Sequence, residues 1–136
     1  ASDVYKRQLL QRMESFDGLA ILATNLRANI DEAFTRRLDV LVDFPMPDAT
    51  QRLSLWRLAL RTLPQSETLD LEFCAHAFEL SGGAIRSAAV TAAYLAANAG
   101  CPVTMAQVVM AVQREYRKLG RLCVEQEFGR YHSLLA

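Results

Sequence analysis

The chain has 136 residues, 51% of them apolar, with 15 basic residues balanced by 15 acidic ones. That is one domain or a piece of one, large enough to bury a core, and its neutral balance excludes an overall pull toward nucleic acid or an acidic membrane surface. No apolar run approaches the ~18 residues of a bilayer span and no signal-peptide hydrophobic region opens the chain, so a cytoplasmic protein is expected, without membrane or nucleic-acid partners.

Residues 1–8 fit poorly with the rest of the chain and read as a truncation or cloning scar. From Leu9 the spacing predicts a helix with Leu9, Leu10, Met13 and Phe16 near one face, ended by the turn signal Asp17-Gly18. Residues 19–23 are a continuous apolar run bounded by turn chemistry, as expected of a strand buried on both faces of a parallel sheet. Its polar tip is Thr24-Asn25. Asp31 is placed to cap a short helix through Arg37. Residues 40–44 then read as a second strand, stopped by Pro45 and Pro47, which cannot donate to a ladder.

After Pro47 the character turns helical, which sets a subdomain boundary. Asp48 and Gln51 form a capping box ahead of a helix presenting Leu53, Trp56 and Leu60. A loop at residues 64–68 leads to a helix with Leu71, Ala75 and Phe78 at core spacing. Ser81-Gly82-Gly83 breaks that helix and starts an alanine-rich one, closed by Gly100. Thr104 and Gln107 make a second capping box, and Met105, Val108, Val112, Tyr116 and Leu119 form the stripe of the next helix, which Gly120 ends. Periodicity is too weak to place residues 121–136. Cys74, Cys101 and Cys123 are widely spaced, without a CxxC pair or a zinc-finger histidine spacing, and read as inert thiols rather than metal ligands.

Three residues or pairs can carry chemistry, and two further stretches only imitate it. Asn25, at a strand tip, is a neutral amide able to hold a water or phosphate oxygen; a turn-forming asparagine is the plainer reading. Arg36 and Arg37, at a helix end, either complement the helix dipole or reach a phosphoryl group. Arg86, close behind Gly83 and Ala84 at a helix start, is disfavoured by the dipole unless an anion sits there; otherwise it is a solvated arginine. Val40-Leu41-Val42-Asp43 imitates a magnesium-binding strand but continues into Phe44-Pro45, without the second acid. Arg114, Arg117, Lys118 and Arg121 sit at a helix C-terminus, where basic residues are ordinary.

Taken together, Leu-Ala-Thr-Asn25, Ala-x-x-Arg36-Arg37 before the second strand, and Ser-Gly-Gly-Ala-Ile-Arg86 resemble the AAA+ ATPases over most of the chain, residues 9–119. The resemblance implies an α/β fragment, the C-terminal part of a P-loop NTPase parallel sheet (residues 1–47), followed by an all-α helical lid (residues 48–120) and an unassigned tail (residues 121–136). It implies Asn25 as sensor 1, Arg36 or Arg37 as an arginine finger acting on a neighbouring subunit, and Arg86 with Gly83 and Ala84 as the sensor-2 contact to the γ-phosphate. ATP and Mg2+ would be the cofactors, a hexameric ring the assembly, and a protein the remodelled substrate.

The sequence contains no Gly-x-x-x-x-Gly-Lys-Ser/Thr, so this stretch alone is expected to bind ATP weakly and hydrolyse none. Two other classes stand beside that reading. One is a catalytically inactive helical interaction module on an ATPase scaffold. The other is the lid of a DNA-linked AAA+ protein of clamp-loader or initiator type, which the neutral charge disfavours.

Overall fold

The computed structural model describes residues 2–25 and 32–135, and the chain divides into two compact units, Ala1–Phe44 and Pro45–Ala136. In the first unit, α1 spans Ser2–Ser15 and α2 spans Glu32–Thr35. Helix α1 starts well before Leu9 and takes in residues 2–8. The expected cap, Asp31, lies outside the described residues.

The expected strands do not form. Residues 19–23 and 40–44 carry no ladder, and among the described residues no strand occurs; the architecture is all-helical, not an α/β sheet fragment. The physical reason is pairing. A strand satisfies its N–H and C=O groups only on a neighbouring strand, and an apolar run is buried on both faces only when helices cover a whole sheet. Leu19 is 86% exposed, Ile21 83% and Phe44 93%, so the hydrophobic signal is present without anything to receive it.

The second unit holds α3 (Ala49–Leu60), α4 (Leu71–Ala77), α5 (Gly82–Ala99), α6 (Met105–Lys118), α7 (Glu125–Phe128) and a closing 3-10 helix, Gly129–Leu135. Helix α5 is central, packing on both α3 and α6, while α3 also packs on α4. Local chemistry explains the starts. The Asp48 carboxylate accepts from the Gln51 N–H at 2.8 Å while Gln51 Oε1 accepts from the Asp48 N–H at 3.0 Å. Thr104 and Gln107 repeat the reciprocal pattern at α6. Helix α5 ends where Gly100 turns left-handed at φ 62° and its N–H bonds back to Ala96 and Ala97, a conformation costly for any residue with a Cβ.

The core is one cluster in which Trp56, Tyr116, Phe78, Phe128, Leu60 and Leu80 are fully enclosed. Leu119, expected on the α6 stripe, is instead exposed and caps the helix. Phe128 belongs to the stretch that periodicity left unplaced, yet its ring centroid lies 5.0 Å from Phe78 and 5.8 Å from Tyr116. Tyr131 adds an edge-on contact to Phe73 at 4.8 Å. Burial pushes the Cys74 thiol up to about 12, which makes it inert.

Candidate functional site

The candidate residues fall into two sets, one in each compact unit. In the first unit Asn25 is exposed in a bend, the last described residue before position 32. Arg36 and Arg37 sit side by side in the turn that ends α2, and their surroundings differ. Among the described residues Arg36 is ion-paired with Glu32 of its own helix, both side chains being mostly exposed; such an i,i+4 pair contributes roughly 0.3–0.5 kcal/mol. Arg37 is tied twice: its Nε donates to Glu14 Oε1 of α1 at 2.6 Å, and its guanidinium donates to the Ala33 carbonyl at 2.8 Å. Arg37 therefore joins the two helices of its unit, whereas Arg36 can leave its partner at little cost.

In the second unit the Ser81 hydroxyl caps α5 by accepting from the Ala84 N–H at 3.2 Å. Gly83 follows, where a Cβ would meet the Ser81 Oγ at an ordinary contact distance of 3.9 Å. Ile85 is buried in the core, which anchors the turn and sends Arg86, the next residue, outward. Among the described residues the Arg86 side chain makes no hydrogen bond or ion pair. An exposed guanidinium beside the partial positive charge of a helix N-terminus, with glycine backbone alongside, is complementary to a phosphate oxygen. Gly83, Ala84 and Arg86 thus share one end of α5, where the Ala84 N–H is already taken by the Ser81 hydroxyl.

Three polar arrangements escape the sequence. Asp70 caps α4 through the Phe73 N–H at 2.9 Å and is met by the Arg130 guanidinium at 2.5 Å and the Tyr131 hydroxyl at 3.3 Å. The Phe73 backbone donor above all, then Arg130 and Tyr131, hold its carboxyl below the ordinary value. Glu115, buried on α6, accepts from Ser87 Oγ at 2.6 Å and from Lys118 Nζ at 2.5 Å; burial pushes its pKa up, but these two donors outweigh it and leave it lowered. Arg52, also buried, donates to two backbone carbonyls, those of Ala75 at 2.7 Å and Pro47 at 2.6 Å. Each joins residues far apart in the chain or on different helices, so no local spacing announces it.

No known protein-family model matches the chain. It is 32% identical over 115 residues to a proteasome-activating nucleotidase of Saccharolobus solfataricus, covering 79% of this chain and 29% of that protein. A proteasome-activating nucleotidase of Aeropyrum pernix is 33% identical over 115 residues, again 79% of this chain and 28% of the other. A 26S proteasome regulatory subunit 6B homolog of Dictyostelium discoideum is 33% identical over 87 residues, 59% of this chain and 22% of that one. These relatives are AAA+ ATPases. The chain spans less than a third of the length of the curated relatives it matches.

Proposed function

We propose that this chain is part of an AAA+ ATPase of the proteasome-activating kind, carrying nucleotide-response residues at 25–37 and a helical lid at residues 48–120. The observation that carries the reading is Arg86, an exposed cation without a partner among the described residues, placed at the glycine-rich start of α5. Similarity over 79% of the chain to proteasome-activating nucleotidases supports it.

In this reading Arg86 takes a γ-phosphate oxygen of ATP, with the Gly83 and Ala84 backbone alongside, and α5 transmits that contact to the lid. Bound ATP with Mg2+ supplies the phosphoryl group that is hydrolysed. Asn25 orients the attacking water through its side-chain amide. Arg36 is the finger that reaches a neighbouring subunit, because its exposed i,i+4 pair is readily given up, and Arg37 anchors α2 on α1. A finger acting between subunits calls for a ring, which we take to be a cytoplasmic homohexamer that unfolds protein substrates.

The test separates the two arginines in the complete ATPase. Arg36→Ala is expected to lower ATP turnover by roughly 10³-fold without loss of thermal stability. Arg37→Ala is expected to lower the melting temperature first. Arg86→Ala in the same assay uncouples nucleotide binding from turnover. Full turnover in Arg36→Ala would remove the finger assignment, and full turnover in Arg86→Ala would remove the lid contact.

A further inference from the structure

Arg52 is a buried cation that no carboxylate of the described residues pairs with. Its two hydrogen bonds go instead to main-chain carbonyls that the chain places 28 residues apart, Pro47 and Ala75. Burying a charge is costly unless it is well bonded, and charge-assisted bonds to carbonyls are among the stronger kinds. The two acceptors are specific. Ala75 lies in the last turn of α4, where carbonyls lack intrahelical partners. The Pro47 carbonyl precedes the Asp48 cap and lies outside α3 altogether.

We propose that Arg52 is a clamp that makes residues 47 and 48 part of the rigid helical unit, so that any pivoting of the chain ahead of that unit is confined to residues before Pro47. Three features act together. The guanidinium fastens Pro47 to the end of α4, the capping box fastens Asp48 to the first turn of α3, and Trp56 seats α3 in the core one turn further on. Immediately upstream, Phe44, Pro45 and Met46 are exposed, and neither the guanidinium nor the capping box reaches them. Lysine could not replace the arginine. Its point charge lacks the planar fork that addresses two acceptors in fixed directions.

The proposal stands apart from the nucleotide reading and is tested without nucleotide. Backbone 15N relaxation on the 136-residue chain is expected to give Asp48 the same order as the middle of α3, with order falling at Met46 and Phe44. A gradual loss of order that begins inside α3, at Ala49 or later, would overturn the clamp. In Arg52→Lys the Asp48 and Gln51 amides are expected to exchange on the order of tenfold faster, while Val108 and Val112 in α6 keep their rates. Unchanged exchange at Asp48 and Gln51 in a folded Arg52→Lys protein would equally overturn it. If the variant does not fold, the relaxation profile of the unaltered chain decides alone.

Discussion

The two compact units are built from similar residues and treat them in opposite ways. In the unit that begins at Pro45, large apolar side chains such as Trp56, Phe78 and Tyr116 are fully enclosed. In the unit that ends at Phe44, Leu19, Ile21, Val42 and Phe44 face outward. Apolar content therefore does not decide burial; a receiving surface does. The helices of the second unit satisfy their own backbone groups and need only one apolar stripe covered. A strand needs a neighbour for its backbone before its side chains can be buried at all.

The largest effect that would sharpen this contrast lies at Phe128. Phe128→Ala should cost about 3–5 kcal/mol, because its ring fills the space between Phe78 and Tyr116. Phe44→Ser, at an equally large aromatic, should stay within about 0.5 kcal/mol. Urea unfolding midpoints of the two variants read the difference directly. Equal losses would mean that the exposed segments bury their side chains in solution.

Acid should act next, and on the second unit. Asp70 and Glu115 both have pKa values below their ordinary 3.8 and 4.5. A carboxyl whose folded value is lowered stabilises the fold above its unfolded value, and that contribution disappears as pH falls through the folded value. Stability should hold down to about pH 5 and decline below the ordinary values. In Asp70→Asn the unfolding midpoint should fall less between about pH 6 and about pH 3 than in the unaltered chain. An identical fall would show that the Phe73, Arg130 and Tyr131 contacts do not hold in solution.

The smallest effect is at a cap. Thr104→Ala should cost about 1 kcal/mol and lower the helical signal little, since α6 keeps its buried face. A differential scanning trace that does not move would mean that water replaces the hydroxyl at no net cost.

Legibility depends on how far the deciding contact lies from the residue. Helices α3 and α6 announce themselves because Asp48 with Gln51, and Thr104 with Gln107, are close neighbours in the chain, and Gly100 closes α5 on itself. Residues 121–135 do not, because Phe128 and Tyr131 bury against Phe78 and Phe73, far upstream in the chain. The runs at 19–23 and 40–44 carry a true hydrophobic signal, but among the described residues no strand pairs with them. Arg86 stands out from its glycines and its place on the helix. The difference in surroundings between Arg36 and Arg37 is invisible in the sequence, because it turns on Glu14, 23 residues away from Arg37.

The buried face of α5 is made largely of alanine: Ala88, Ala89, Ala92 and Ala96. An alanine loses no rotamer freedom when it is covered, so this central helix joins its neighbours at little side-chain entropy. The same smoothness has a mechanical side. Methyl groups interlock weakly, and such a face offers shallow resistance to sliding along a partner helix. Register between α5 and α6 then depends on a few directional bonds, chiefly Ser87 to the buried Glu115. That bond is one residue from Arg86, so the part of α5 most firmly indexed against the rest of the unit is the end that presents this exposed cation.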